Sequence, residues 1–243
     1  MFENRTYRRQ HHKKGLVTFD ITVKETNLNI QAKTDLTDIA IKSVLTCRNY
    51  IETYIHLHPD FLTAIVPLKD TGPAPGIIRD MMDAARLANV GPMAAVAGAV
   101  AEHAGRSLLD HSPEVIVENG GDIFIQSDSE TIFKIYAENS PFSMTTGIRV
   151  DKRDTPYGMC TSSGTLGHST SFGKADAATV MARSCALADA VATALGNRIK
   201  TPADIQGAID AGKAIPGILG IVILKGDSIG LWGDLKLVTL TGA

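Results

Sequence analysis

Leu16-Val17-Thr18-Phe19-Asp20-Ile21-Thr22-Val23 and Asn27-Leu28-Asn29-Ile30-Gln31-Ala32 alternate apolar with polar side chains across a short polar turn. A period of two puts every second side chain on the same face of a strand, so the two runs predict a β-hairpin. Outward from it, Asp35 or Thr37 can cap a helix from about Asp38 to Ile55, with Ile39, Leu45 and Ile51 on its apolar face and His58-Pro59-Asp60 at its end. Asp70-Thr71-Gly72-Pro73-Ala74-Pro75-Gly76 reads as a loop leading into a helix with Ile77, Met81, Met82, Ala85 and Leu87. Pro92 to Ala101 predicts another helix, because proline costs nothing in a first turn. Its Ala/Gly lining suits close backbone packing, and the N–H groups at its start would also suit an anion.

Strands are expected over 114–117, 122–126, 131–136 and 146–150, then a Gly/Ser/Thr-rich loop over 158–173 and a strand near 178–181. A helix over 184–195 ended by Gly196-Asn197, a helix opened by Thr201-Pro202, and closing strands over 218–224, 228–231 and 235–240 complete the chain. Antiparallel hairpins with interspersed helices indicate an α+β fold.

The chain has 243 residues, 44% of them hydrophobic and 21% charged, which excludes disordered and collagen-like classes. Its net charge of −2 gives no basic surplus for nucleic acid. The charge is uneven: Arg5, Arg8, Arg9, Lys13 and Lys14 face only Glu3 at the start, so the remainder is acidic. This basic arm suits a phosphate or acidic partner, but a solvated, protected strand edge is the simpler reading. Three scattered cysteines, Cys47, Cys160 and Cys185, form no CxxC, and a reducing compartment is the simpler reading. The N-terminus lacks a signal-type apolar core, and the uncharged stretch Leu87–Ala101 is too short to span a bilayer. Cytoplasmic localisation without a membrane partner is therefore expected.

P-loop, GxGxxG, HExxH and GxSxG fingerprints do not occur, and His56 and His58 lack a third ligand nearby. Three segments can carry chemistry. In Asn119-Gly120-Gly121-Asp122, paired glycines let main-chain N–H groups reach a ligand, although a plain turn has the same composition. The segment from Cys160 to Gly173 crowds seven hydroxyls, one thiol and one imidazole together. Ser162, Ser163, Gly164 and Thr165 suit phosphate oxygens. His168 suits general acid–base work, and Cys160 a nucleophile if a cation lowers its pKa. Asp189 and Thr193 lie four apart on one face of an apolar helix. They are hard oxygen ligands fit for Mg²⁺, or else a buried Asp bonded to a neighbouring loop.

The order of these segments, Asn119-Gly120-Gly121-Asp122, then a His168-bearing loop, then Asp189-Ala190-Val191-Ala192-Thr193-Ala194, resembles the ApbE superfamily of FAD:protein FMN transferases. Thr161-Ser162-Ser163-Gly164, Gly167-His168-Ser169, Ser171-Phe172-Gly173-Lys174-Ala175-Asp176 and Gly91-Pro92-Met93-Ala94-Ala95-Val96-Ala97-Gly98 look more like an ApbE-like branch of archaea and some bacteria. The resemblance covers most of the chain. It implies a single ApbE-like domain over 1–243, with a mixed, largely antiparallel sheet and packed helices. It implies Mg²⁺ at Asp189 and Thr193 beside the pyrophosphate of FAD or another nucleotide, the 119–122 turn near that nucleotide, and His168 near the phosphoryl chemistry. The expected function is binding of a small anionic nucleotide or flavin-type ligand, with Mg-dependent phosphoryl or FMN transfer. The alternatives are sulfur transfer by Cys160 with His168, since the branch is tied to sulfur assimilation, and a non-catalytic ligand-binding module. Assembly into a homo-oligomer stays open.

Overall fold

The structure, a computed structural model, describes residues 13–69, 72–137, 140–163 and 173–240. The opening hairpin forms as expected: β1 (Val17–Val23) pairs antiparallel with β2 (Thr26–Ala32), in register from Val17↔Ala32 to Val23↔Thr26. Helix α1 (Thr37–Leu57) follows, then a one-turn α2 (Asp60–Thr63) and α3 (Gly76–Ala88). Asp35 supports the start of α1 by accepting the Thr37 N–H at 2.9 Å, but Leu36 occupies the cap position. Pro92 opens a 3₁₀ turn, Pro92–Ala95, that runs into α4 (Val96–Leu109). The helix extends past Ala101 because Glu102 and Arg106 pair one turn apart.

Strands β3 (Val115–Asn119) and β4 (Asp122–Gln126) form a tight hairpin, followed by β5 (Thr131–Lys134) and β6 (Thr146–Val150). Tyr157–Ser162 is a strand, β7, where the composition suggested the beginning of a loop. Gly158 disguises it: a Cβ there would sit 2.8 Å from Cys185 Cβ and closer still to Cys185 Cα, so packing demands a residue of low strand propensity. Strand β8 (Ala177–Ala182), helix α5 (Cys185–Arg198), helix α6 (Ile205–Lys213), β9 (Ile218–Lys225), β10 (Ser228–Gly233) and β11 (Lys236–Thr239) complete the order. Ser184 caps α5 by accepting the Leu187 N–H. Gly196 lies inside α5 rather than beyond its end, with its missing Cβ beside Ser162.

Eight strands make one sheet in the order β1-β2-β3-β4-β7-β8-β9-β10, and β11-β6-β5 make a second, with every pairing antiparallel. Helices cover one face of the large sheet. There Val115, Val117, Phe124, Cys160, Val180, Ile221 and Ile223 meet the apolar sides of α1, α3, α4, α5 and α6. The alternate positions Ile116, Ile125, Met159, Met181 and Val222 face the other way, onto Ile148 and Val150 of the small sheet. Both faces are dry, so the central strands lose their alternation and β8 is buried from end to end. Strand β11, expected only as a closing strand, leaves the large sheet to pair with β6.

Candidate functional site

Asn119 and Asp122 pair across the β3–β4 turn, leaving Gly120-Gly121 as a two-residue loop. Gly120 has φ +74°, the left-handed conformation that favours glycine in such a turn. Gly121 is needed for proximity, since a Cβ would lie 2.8 Å from the Thr161 carbonyl oxygen. The Asn119 side-chain amide donates to the Ala97 carbonyl at 3.0 Å, tying this turn to the start of α4.

Helix α5 delivers Asp189 to the same place. Asp189 Oδ2 accepts the Gly98 N–H at 2.9 Å, and the carboxylate also accepts the Ala97 N–H. The acceptor at the start of α4 is thus the protein's own Asp189. Gly98 permits the approach: a Cβ there would sit 2.8 Å from Asp189 Cβ and closer still to the Cys185 carbonyl. Cys185, Asp189 and Thr193 follow at helical spacing, and whereas Cys185 is buried, Asp189 and Thr193 are only half-buried. This face of α5 is therefore closed at its N-terminal turn and open beyond it.

Asp122 and Asp189 share one electrostatic neighbourhood. Burial, then the Asp122 charge, pushes the Asp189 carboxyl well above the usual carboxylate range, against the pull of its two backbone donors. Burial also pushes Asp122 up to about 7; a hydrogen bond with Cys160 opposes the shift, and the charge of Glu118 adds to it. Among the described residues, no cationic side chain pairs with either carboxylate. Two crowded carboxylates that lack a cationic partner among the described residues favour holding a proton between them.

Cys160 faces Asp122 across β4 and β7 and is fully buried, with its sulfur 3.5 Å from Cys185 Sγ. Burial, the neighbouring Cys185 thiol and nearby carboxylates raise its pKa well above the ordinary thiol value. These surroundings are the reverse of those that activate a nucleophilic thiolate. Ser162 and Ser163 end the described part of that segment, while Gly164, Thr165 and His168 lie outside the described residues.

Asn119, Asp122, Cys160 and Asp189 thus come together, with Gly120 and Gly121 forming the turn between the first two. Three participants were not singled out as site residues by the sequence. Gly98 was visible in a small-residue stripe and at the end of the Gly91–Gly98 motif, with no role attached, and Cys185 carries no local signal. Glu102 takes the Cys185 N–H at 2.7 Å and the Ser184 hydroxyl at 2.9 Å, anchoring the first turn of α5. It directly follows the uncharged run Val96–Ala101 and is buried, and an acidic side chain buried there needs partners. A groove of about 470 Å³ beside α1 and α4, lined in part by Lys42, Tyr50, His103 and His111, shares no lining residue with this cluster.

The oxygen donors on the open face of α5 suit a hard cation. Among the described residues no three His, Cys, Asp or Glu side chains group as metal ligands, so Mg²⁺ would draw on the Asp189 carboxylate and the Thr193 hydroxyl, with further oxygens from its ligand.

The family model described as AbpE bacteria matches residues 8–224. The chain belongs to this ApbE-like family. Within reach of it are archaeal relatives carrying the name UPF0280 protein. That of Methanococcus aeolicus is 37% identical over 227 residues, 91% of this chain and 92% of its own length. That of Methanococcus vannielii is 46% identical over 181 residues, 73% of each chain. The family fold also occurs in the flavinyl transferase ApbE of Pseudomonas stutzeri in its apo form, with TM-score 0.54, 13% identity, and coverage of 89% of this chain and 93% of that one. A histidine-to-glycine mutant of the Vibrio cholerae flavin transferase ApbE gives TM-score 0.57 at 10% identity, covering 90% and 97%. At such identities the likeness concerns the fold, and activity must be argued from the site.

Proposed function

We propose that this ApbE-like protein binds a nucleotide or flavin-type diphosphate beside the 119–122 turn, and that the site supports Mg²⁺-dependent phosphoryl or FMN transfer. The observation that carries the reading is the Asp122–Asp189 pair, two half-buried carboxylates beside a glycine turn that have no cationic partner among the described residues. A divalent cation relieves their repulsion and, when bound, neutralises charge developing on a diphosphate. Asp189 would hold it, oriented by the Gly98 and Ala97 N–H groups, with Thr193 one turn along α5. Gly121 is exposed at the tip of the turn and has no side chain to keep a phosphate or ring away, and Ser162 and Ser163 at the end of β7 carry hydroxyls of the kind that meet phosphate oxygens. Asp122, with its pKa near 7, suits the transfer of a proton from an acceptor hydroxyl.

Cys160-based sulfur transfer needs an accessible thiolate, and the full burial of Cys160 opposes it. Titration calorimetry with FAD, FMN, ADP and AMP, each with and without Mg²⁺, tests the proposal. The expected outcome is Mg²⁺-dependent binding of at least one diphosphate, weakened at least about tenfold by Asp189→Asn, the scale of one lost charge-assisted contact. Absence of binding across the panel removes the reading, and binding without transfer to a hydroxyl acceptor reduces it to a ligand-binding module.

A further inference from the structure

Cys160 and Cys185 come from different elements, a central strand and the first residue of a helix, yet their sulfurs lie 3.5 Å apart. Both side chains are fully buried and both thiols are free. The contact is held from several sides. Gly158 lets β7 close onto the Cys185 backbone, Gly98 brings α4 against the Cys185 carbonyl, and Glu102 fixes the Cys185 N–H at 2.7 Å. Cys160 Sγ also lies 3.4 Å from the Cys185 carbonyl oxygen, where its S–H can donate. Joining the two sulfurs requires closing the 3.5 Å gap to about 2.05 Å, a movement of about 1.5 Å.

We propose that Cys160 and Cys185 are an intramolecular thiol–disulfide site, oxidised by hydrogen peroxide or a small alkyl hydroperoxide. Cys185 is the residue oxidised first, because it heads α5 and Cys160 can donate to its sulfur. Its thiolate attacks the peroxide, the O–O bond breaks, and Cys185 becomes a sulfenic acid as one water or alcohol leaves. The Cys160 sulfur then attacks Cys185 Sγ, expelling a second water that carries away the remaining thiol proton. Two electrons pass from the pair to the peroxide, and a dithiol reverses the step by exchange. A peroxide suits the pair better than a bulky disulfide, since the sulfurs lie under half-buried Asp122 and Asp189 and only a small oxidant can reach them through local opening. Burial, which raises the Cys185 thiol to about 11, makes the reaction slow at neutral pH.

The bond would staple the elements that carry the two carboxylates. Cys160 is the register partner of Asp122, and Cys185 precedes Asp189 by one turn of α5. Thiol oxidation is independent of which ligand the site takes, so its success or failure is separable from that of the transferase reading.

The full-length protein, treated with hydrogen peroxide and then alkylated under native and denaturing conditions, is analysed by intact and peptide mass spectrometry. The expected product is a monomer lighter by about 2 Da, the two hydrogens lost on forming one bond. Its crosslinked peptide contains residues 160 and 185, and Cys47, buried in α1, stays alkylatable after denaturation. Dithiothreitol restores the original mass. Cys47→Ala retains the crosslink, while Cys160→Ala and Cys185→Ala each lose it. The proposal is overturned if the folded wild-type chain and Cys47→Ala both fail to form the 160–185 link, or if Cys47 oxidises as fast as the pair, which would mark global unfolding.

Discussion

The two ends of the β3–β4 hairpin hold carboxylates in opposite circumstances. At its base, Glu114 is buried but accepts the Asp128 N–H at 3.0 Å and the Ser127 hydroxyl, with Lys33 and Lys13 as cationic partners. Burial alone would raise its pKa; the Lys33 contact, the Asp128 bonds and the Lys13 charge override this and bring it to about 2. At the tip, Asp122 meets burial and the Glu118 charge and rises to about 7. The base is an electrostatically complete structural joint. The tip has no cationic partner among the described residues, and a proton, a cation or a ligand would complete it.

Breaking the complete end should have the largest effect. Glu114→Ala strands Lys13 and the Asp128 N–H, and a loss of about 2–4 kcal/mol is expected, somewhat below the figure for a fully buried pair because the lysines reach solvent. Urea titration measures this, and a loss below about 0.5 kcal/mol would mean that the base is not the joint described. Gly98→Ala presses a methyl between α4 and α5 and should cost about 1–3 kcal/mol while loosening the Asp189 contact. Thermal melts and ligand titration read both effects. Glu102→Gln keeps the shape but weakens the anchor on α5, for an expected loss of about 1–2 kcal/mol in urea.

The smallest effect sharpens the comparison most directly. The Asp122 pKa is higher folded than the ordinary aspartate value of 3.8, so its stabilising protonation is complete below about pH 4 and lost as pH rises through about 7. The melting temperature should fall across that window, with Asp122→Asn flattening the fall by a few degrees. Glu114 works the other way: its stabilisation is present above about pH 4.5 and lost as pH falls toward about 2. A melting temperature that does not respond to Asp122→Asn anywhere between those limits would place Asp122 in water rather than beside Asp189.

Periodicity exposed most elements because each strand and helix carries its own repeat. The hairpin over 17–32, the helix α3 and the strands β4, β6 and β9 are legible from their own residues. Strand β7 was hidden because Gly158, Thr161 and Ser162 answer to Cys185, Gly121 and Gly196 rather than to strand propensity. Likewise the i,i+4 spacing marked Asp189 and Thr193 as one face, while spacing says nothing about the Gly98 and Ala97 N–H groups or about Asp122 as a neighbour.

By itself, then, the amino-acid sequence determined an α+β chain with a glycine turn, a hydroxyl-rich segment and an acidic helix face, since those depend on local chemistry and short spacings. Only the tertiary structure decided that Cys160 sits buried against Cys185, that Glu102 anchors α5, and that one carboxylate of the hairpin is paired with lysines while the other has no cationic partner among the described residues. Charge compensation depends on distance through space, and residues far apart along the chain acquire that distance only when the sheet and helices close.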